Sequence, residues 1–536
     1  APGVNIRSTK SGGGFSNFWD VLVNADGTSF SAPHVSGAVA LIKQFDPALP
    51  PFDIENVLKE KGEKVGDDIS ELIFSIIDLL NTLGVLDWPY FHHDLRRTGF
   101  TLLKGDLDAS DIDQASFTID NIDNTFVDFP VLADVDGDDR QEILVGTSRF
   151  GAGSQLFGQF FALKCIKKSG KCKDFKELWS FSDGTVFGES PSVDDLNNDE
   201  RKEVIFITAG GPNNNGIVYA FDADKQGGFK FEPNHALWKY NIKNTSAFDA
   251  LILHNAIADI DLNGKKEILV SDYYGSIGFQ AYLYVLEAPN SGKTFNLKQQ
   301  ILIGTASLSD GAAGAIAVAN INASDDYPEI VIPSSFGIYV YRYNGNQLTK
   351  IWNNSHAELG ETALVADVDA DNKYEIVYTT TDADTINCNN PQVSCTRKLY
   401  VVDALTGSVE CSSSTLSEYP ISSVAVSNLD SDKELEIAFV TRTDPDTGDP
   451  GTGKIRTFEH TCAVKGSYPS GNTIDTARSS ADIADIDNDG NNDILFSAKN
   501  GTIYVMNNNL NLKWTYKLGG EYHFCGHTHA KAKDKV

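Results

Sequence analysis

The stretch "ADVDGDDRQEILVGT" (Ala133–Thr147) joins a cluster of acidic residues to a run of β-branched and other apolar residues. Counted from Asp134, oxygen-bearing side chains occupy positions one, three, five and nine. Alternate residues of a tight turn point inward, so these side chains are expected to converge. The apolar residues after position nine are typical of a β-strand. The stretch therefore predicts an acidic turn that runs directly into a strand.

The same pattern recurs along the chain and organises most of the sequence. Between the copies lies a second recurring element, such as "GIVYAFDAD" (Gly216–Asp224), in which aromatic and aliphatic residues alternate with period two. A strand pattern containing tryptophan follows several copies. The seven acidic patterns, acidic loops 1 to 7, begin 47 to 64 residues apart at Asp134, Asp195, Asp259, Asn320, Asp367, Asn428 and Asp485.

Each repeat predicts about four strands, a unit too small to bury both faces of its own sheet. Seven such sheets arranged radially form a closed ring that leaves only short edges. We therefore predict a mainly β fold, a seven-bladed β-propeller. An open solenoid is the alternative. The last repeat lacks an obvious polar cap, which favours the closed ring.

The acidic loops predict metal sites. Hard oxygen ligands in a flexible cage favour calcium, whereas zinc prefers nitrogen or sulfur. For one loop alone a solvated acidic turn is the simpler explanation, but repetition in six copies favours bound Ca²⁺. The predicted calcium ligands are Asp134, Asp136, Asp138, Glu142, Asp195, Asn197, Asp199, Glu203, Asp259, Asp261, Asn263, Glu267, Asp367, Asp369, Asp371, Glu375, Asn428, Asp430, Asp432, Glu436, Asp485, Asp487, Asp489 and Asp493.

The fourth copy departs from this pattern. Asn320, Asn322 and Ser324 are neutral, and Glu329 is displaced by one residue. Since calcium sites depend on carboxylate charge, we expect acidic loop 4 to bind weakly or not at all.

Over roughly residues 110–520 the acidic loops resemble the calcium loops of FG-GAP (VCBS-type) repeats, which form the propeller of integrin α-subunits. The resemblance implies that calcium is a structural ion that ties adjacent strands together. It also implies a ligand-binding face on the ring, for which we expect an extracellular protein or glycan.

The stretch "GTSFSAPHVSGAVALIKQF" (Gly27–Phe45) has a different character. Pro33 suits the first turn of a helix, and Val39 and Ile42 lie on the apolar face of that helix. Ser29 is thus predicted at a helix N-terminus, where free amides can stabilise an oxyanion. On local pattern alone, an ordinary helix-capping serine is the simpler interpretation.

The segment "GTSFSAPHVSGA" resembles the active-site serine signature of the subtilisin-like serine proteases. "APGVNIRST" (Ala1–Thr9) resembles the strand and loop that precede it, and two later stretches resemble the family's last two helices, so that the resemblance covers roughly residues 1–84. It implies that Ser29 is the nucleophile of an endopeptidase acting on peptides or proteins by acyl transfer, within a truncated α/β fragment.

A serine nucleophile needs a base and an acid that orients the base. In this family both precede the serine, but the 28 residues before Ser29 contain no histidine, and Asp20 and Asp26 lie too close to match. We expect that this chain alone does not hydrolyse peptides, and that a longer gene product does.

The expected domains are a peptidase fragment (residues 1–86), a lead-in segment (87–110) and the propeller (111–536). The lead-in contains "DWPYFHHDLRRTGF" (Asp87–Phe100), whose adjacent histidines are more typical of a structural role than of a metal site. The tail holds Cys525 between several histidines, a pattern compatible with zinc or copper but more often incidental at a chain end.

The composition excludes two classes of partner. A formal charge of -30 repels nucleic acid, and no apolar run has the length of a membrane span. The spacing of the seven cysteines suggests pairs Cys165–Cys172, Cys388–Cys395 and Cys411–Cys462, as in an oxidising compartment, with buried free thiols as the alternative. We therefore expect a secreted or cell-surface protein: a protease with a calcium-binding propeller or, alternatively, an adhesion protein with a vestigial protease segment.

Overall fold

A computed structural model describes residues 6–9 and 22–25 and, with gaps, residues 94–517; the longest gaps are 105–124, 243–249, 306–313, 381–395 and 443–451. The chain divides into two compact units, Ala1–Leu86 and Asp87–Val536. In the first unit, β1 (Ile6–Thr9) pairs antiparallel with β2 (Leu22–Ala25). The predicted helices and Ser29 of this unit lie outside the described residues.

The described residues of the second unit form seven mostly antiparallel sheets, here called blades 1 to 7, and contain no helix. The prediction of a mainly β, seven-bladed propeller is confirmed. The strands that follow β3 (Phe100–Lys104) in blades 1 to 3 are β4 (Thr125–Val127), β5 (Val131–Ala133), β6 (Glu142–Phe150), β7 (Leu156–Lys168), β8 (Lys171–Phe181), β9 (Val186–Phe187), β10 (Ser192–Asp194), β11 (Glu203–Ala209), β12 (Gly216–Asp222), β13 (Phe229–Phe231), β14 (Trp238–Ile242), β15 (Ala250–Ala258), β16 (Glu267–Tyr274), β17 (Gln280–Glu287) and β18 (Asn296–Thr305).

Blade 1 takes β4 to β8 with β13, blade 2 takes β9 to β12 with β14, and blade 3 takes β15 to β18. The later blades follow chain order, except that β3 joins blade 7. Blade 4 holds β19 (Ala317–Ala319), β20 (Glu329–Ser334), β21 (Gly337–Tyr343) and β22 (Leu348–Asn353); blade 5 holds β23 (Leu364–Ala366), β24 (Glu375–Thr380), β25 (Lys398–Asp403) and β26 (Val409–Ser412); blade 6 holds β27 (Tyr419–Pro420), β28 (Ala425–Ser427), β29 (Glu436–Arg442), β30 (Thr452–Phe458), β31 (Val464–Tyr468) and β32 (Ile474–Asp475); blade 7 holds β33 (Asp482–Asp485), β34 (Asp493–Ser497), β35 (Thr502–Met506) and β36 (Leu512–Lys517).

Burial decreases from the second strand of a blade to its outer strand. In blade 4 every residue of β20 is buried, whereas most of β22 is exposed or half-buried. Continuous apolar sequences form the second strands because both of their faces pack against neighbouring blades. Within the described residues, six apolar cores join each blade to the next, from blade 1 through blade 7.

Tryptophans of the outer strands fasten neighbouring blades. The indole Nε1 of Trp179 in blade 1 donates to the carbonyl of Ala223 in blade 2 at 3.0 Å, and Trp352 in blade 4 donates likewise to Ala404 in blade 5 at 2.9 Å. Each acceptor directly follows the third strand of the next blade. The recurring tryptophans therefore supply the same inter-blade contact at two places in the ring.

Gly407, in the turn between β25 and β26, allows one of these contacts. Its φ is 73°, and a Cβ added there would lie 2.7 Å from the ring of Trp352. We expect Gly407→Ala to lower the free energy of unfolding by about 2–4 kcal/mol, from left-handed strain and the clash together. Gly228→Ala is the matched control because Gly228 has the same φ with open space around it, so that only the strain of about 1 kcal/mol remains. Equal losses in urea unfolding of the two variants would contradict the packing role of Gly407.

The described part of the lead-in segment, residues 94–98 and β3, runs across the first strands of several blades. The backbone carbonyls of Leu95, Arg96 and Thr98 accept hydrogen bonds from Val318 of blade 4, Val365 of blade 5 and Val426 of blade 6. Strand β3 then pairs in parallel with β33 of blade 7. Since the first strands line the centre of a propeller, the lead-in segment holds successive blades together from the inside.

Among residues 94–98, the side chain of Arg97 has no exposed surface. Its guanidinium donates to the carbonyl of Ile316 at 2.9 Å and to that of Asn255 at 3.0 Å, in blades 4 and 3 respectively. One side chain thus satisfies backbone acceptors of two adjacent blades.

A disulfide joins Cys411 of β26 to Cys462, with sulfurs 2.01 Å apart, so that predicted pair is confirmed. It links blade 5 to blade 6. Cys165 is also disulfide-bonded. The predicted pair Cys388–Cys395, the adjacent histidines His92 and His93 and the tail with Cys525 lie outside the described residues.

Candidate metal sites in the acidic loops

The acidic loops connect the first and second strands of the blades, and the acidic residue that closes each loop begins the second strand. The carboxylate that closes each loop is at most 1% exposed and accepts a hydrogen bond from the backbone amide of position two. In acidic loop 5, for example, Val368 donates to Glu375 at 2.8 Å. The closing carboxylates are Glu142, Glu203, Glu267, Glu329, Glu375, Glu436 and Asp493.

Position one caps the turn. The carboxylate of Asp367 accepts the amides of Asp371 and Asn372 at 3.1 and 3.0 Å, and Asp259 and Asp485 make the same contacts with their own loops. Position four adopts a left-handed conformation, as at Ala370 with a φ of 60°. In acidic loop 5 the turn brings positions one, three and five together, whereas in acidic loops 1, 3 and 7 it is positions one, three and nine that converge.

The structure brings predicted ligands together in five loops, with one oxygen from each of three carboxylates within 4.8 Å of the others. Glu459, after β30, joins one cluster although no loop spacing identifies it. Asp138, Glu375, Asp432 and Asp489 lie outside the clusters. The clusters are Asp134, Asp136 and Glu142; Asp259, Asp261 and Glu267; Asp367, Asp369 and Asp371; Asp430, Glu436 and Glu459; and Asp485, Asp487 and Asp493.

The remaining predicted ligands make other contacts. In acidic loop 2, Asp195 accepts the amides of Asn197 and Asp199, and the amide group of Asn197 donates to Glu203. The carboxamide oxygen of Asn263 accepts the amide of Lys265 at 2.8 Å. In acidic loop 6, the Asn428 side chain donates to the carbonyl of Asp432.

Several cluster oxygens are buried without a hydrogen-bond partner: Glu142 Oε1, Asp261 Oδ1, Glu436 Oε1 and Asp487 Oδ1. A buried anionic oxygen that lacks a donor is costly unless a cation satisfies it. Together with the all-oxygen donor set, these atoms fit a hard divalent cation such as calcium.

Burial also makes it unfavourable for the closing carboxyls to ionise in the absence of a cation, because a charge there is poorly solvated. Desolvation is the main cause of the raised pKa in every case, opposed by the hydrogen bond from position two. The pKa rises to about 7 for Glu142, Glu267 and Glu436, about 8 for Glu203 and about 9 for Glu375.

Acidic loop 4 is held by neutral and internal contacts. Asn322 donates to Asp325 at 3.3 Å, and Arg342 pairs with the same aspartate at 2.9 Å. Glu329 still accepts the amide of Ile321, at 2.7 Å, despite its displacement by one residue. The loop keeps the fold of the others, and Arg342 brings a positive charge to its acids, although Glu329 Oε1 is buried without a hydrogen-bond partner.

Comparison with known proteins separates the two units of the chain. Residues 1–75 match the Subtilase family. The subtilase segment is 39% identical over 67 residues to alkaline elastase YaB of Bacillus sp. and 39% identical over 66 residues to subtilisin Savinase of Lederbergia lenta. Each alignment covers 12% of this chain, and the chain spans only 16% and 22% of the two relatives.

The other similarity to known proteins is one of structure rather than sequence. A quinohemoprotein alcohol dehydrogenase from Pseudomonas putida HK5 superposes with a TM-score of 0.50 over 83% of this chain and 74% of its own, at 9% identity. At that identity the match concerns the fold alone. Within the described part of the chain, no helix has the length and apolar character needed to cross a membrane.

Proposed function

We propose that the protein is a secreted, subtilisin-like serine endopeptidase whose propeller is stabilised by calcium and anchors the enzyme or selects its substrates. The observation that carries the proposal is the subtilase match of residues 1–75, which includes "GTSFSAPHVSGA". The disulfide between Cys411 and Cys462 supports secretion, since such bonds persist in oxidising compartments.

In this proposal Ser29 is the nucleophile. Its hydroxyl attacks the scissile carbonyl of a peptide once a base removes the hydroxyl proton, and its backbone amide donates to the resulting oxyanion. The base and the acid that orients it are the histidine and aspartate of the family.

Calcium in the acidic loops would stabilise the propeller rather than take part in peptide cleavage. Converging carboxylates would hold the ion, for example those of Asp367, Asp369 and Asp371 in acidic loop 5. The buried oxygens without hydrogen-bond donors support this assignment. An ion bound in such a loop would fasten the first strand of its blade to the second.

Labelling of the full-length protein with a fluorophosphonate probe tests the enzymatic role. We expect the wild type to be labelled and Ser29→Ala to lose the label, because the probe reacts with an activated serine hydroxyl. Ser31→Ala, two residues away in the same segment, should keep the label. Equal labelling of the Ser29 variant, or none of the wild type, would contradict the proposal.

The alternative is an extracellular adhesion or ligand-binding propeller with a vestigial protease segment. The extent of the propeller unit, Asp87–Val536, favours it over a minor accessory role for the ring. The probe separates the two functions, since an adhesion protein with a vestigial segment is not labelled at Ser29.

A further inference from the structure

The outer strands of several blades carry a β-bulge beside the acidic loop. A bulge places one extra residue in a strand and redirects its side chain. In blade 3, Val285 pairs with Gln299 and Leu286 with Leu297, which leaves Lys298 as the extra residue. Equivalent register shifts leave Lys465 in blade 6 and Lys513 in blade 7. Three blades thus place a lysine at one structural position.

Each of these lysines points into its own acidic cluster. Lys298 Nζ lies 2.5 Å from Asp261, 2.8 Å from Glu267 and 3.0 Å from Glu287. Its side chain is only 21% exposed. The ammonium therefore stands among the carboxylates rather than in solvent.

The other two bulge lysines make the same arrangement. Lys465 lies 2.7 Å from Asp430 and 3.5 Å from Glu436. Lys513 lies 2.6 Å from Asp487 and 2.8 Å from Asp493. In each loop the ammonium contacts position three and the closing carboxylate.

Blade 5 has an acid at this position. Val401 pairs with Cys411 and Val402 with Val409, so the extra residue is Glu410. The Glu410 side chain is exposed, and it carries a carboxylate where blades 3, 6 and 7 carry an ammonium.

The basic residue that the structure places on acidic loop 5 is Lys373, within the loop itself. It bonds Asp371 at 2.6 Å with a side chain that is 70% exposed. Solvent screens a charge at such a site strongly. Acidic loop 5 thus combines an extra carboxylate with an ammonium that lies at its surface.

A lysine ammonium and a calcium ion cannot occupy one cluster together. Calcium lies about 2.3–2.6 Å from its oxygen ligands, and the ammonium of Lys298 already lies 2.5–3.0 Å from three carboxylates. Two cations within this distance would repel each other, so metal binding requires the lysine to withdraw and give up its ion pairs.

We propose that the residue at the outer-strand bulge determines whether an acidic loop takes a divalent cation. Lys298, Lys465 and Lys513 act as built-in counter-ions that weaken calcium binding in blades 3, 6 and 7, whereas Glu410 supplies no such counter-ion to acidic loop 5. This inference rests on the proposed calcium binding and predicts that the acidic loops are unequal.

Two other blades place a cation on the loop from the third strand. In blade 1, Lys164 of β7 lies 2.5 Å from Asp136 and 2.7 Å from Asp138. In blade 4, Arg342 of β21 pairs with Asp325. The cations on acidic loops 1 and 4 are partly buried, whereas Lys373 on acidic loop 5 is largely exposed.

Reciprocal charge swaps in the full chain test the proposal, with calcium bound per chain measured by equilibrium dialysis. Glu410→Lys is expected to weaken one site by about tenfold or more, and Lys513→Glu to strengthen one by a similar factor. Lys513→Gln, which only removes the ammonium, should move binding in the same direction if Lys513→Glu folds poorly. Lys517→Glu makes the same charge change on the same strand, four residues away, and should leave binding unchanged.

The outcomes separate this inference from the calcium assignment. If the wild type binds calcium and both the Glu410 and Lys513 variants bind it unchanged, the bulge residue has no such role although the loops bind metal. If no variant binds calcium, both proposals are wrong. Changes of equal size in Lys513→Glu and Lys517→Glu would reduce the effect to net charge and overturn the inference.

Discussion

Replacing Arg97 with alanine is expected to lower the free energy of unfolding of the propeller by about 3–5 kcal/mol. The substitution removes a fully buried side chain together with its hydrogen bonds to the carbonyls of Ile316 and Asn255, the second of which keeps a bond from Ser192 Oγ at 3.3 Å. It also leaves a cavity where blades 3 and 4 meet the lead-in segment. Urea unfolding followed by tryptophan fluorescence measures the loss.

Arg96→Ala is the matched control for this prediction. Arg96 is the preceding residue, its side chain is partly exposed, and it contacts Asp94 at 3.8 Å and the hydroxyl of Tyr374 at 3.4 Å. Its carbonyl bond to Val365 survives in alanine. We expect a loss of about 1 kcal/mol or less, as for other exposed ion pairs. Similar losses in the two variants would show that the lead-in segment does not hold the blades through Arg97.

Removal of calcium with EDTA is expected to lower the thermal midpoint of the propeller markedly. An ion that binds only the folded protein stabilises it by about 2.7 kcal/mol for each site at a hundredfold excess over Kd. Added calcium should restore the midpoint, and Asp369→Asn should reduce the EDTA effect by weakening acidic loop 5. A melting curve that is the same in EDTA and in calcium would count against metal binding.

The EDTA effect should grow with pH. Without metal, the folded-state pKa of Glu375 is about 9 and that of Glu203 about 8, both above the ordinary value of 4.5. Groups whose pKa is raised by folding contribute stability at low pH that is lost as pH rises through the folded pKa. The metal-free protein should therefore lose stability between about pH 5 and 9, and calcium should remove this slope. Thermal midpoints in EDTA and in calcium across that range provide the measurement.

The sequence revealed the blades because each acidic loop is local. Positions one to nine lie in one turn, and the strand that follows, such as Glu375–Thr380, is read directly from its β-branched residues. The recurrence of this unit predicts the number of sheets without knowledge of any long-range pairing.

The contacts that the sequence did not reveal depend on pairing between distant strands. Lys298 reaches Asp261 only because a register shift in β18 turns it toward the loop, and no spacing rule marks that shift. Glu459 joins acidic loop 6 in the same way, from the end of β30. The central position of Arg97 is likewise set by the closed ring rather than by its neighbours in sequence.

The differences between the acidic loops also depend on pairing between distant strands, so the loop motif does not reveal them. Positions one, three, five and nine of acidic loop 5 and acidic loop 3 have similar chemistry, yet Glu410 and Lys298 give their surroundings opposite charge. A ligand motif defines the donors of a metal site, but side chains from the outer strand decide whether those donors are free.

Anomalous diffraction from crystals grown in calcium tests metal binding most directly. We expect a calcium peak in acidic loop 5, about 2.3–2.6 Å from carboxylate oxygens of Asp367, Asp369 and Asp371. In acidic loop 3 we expect the ammonium of Lys298 in place of such a peak. Acidic loops without any anomalous peak at millimolar calcium would contradict the claim that carboxylates of this propeller hold divalent ions.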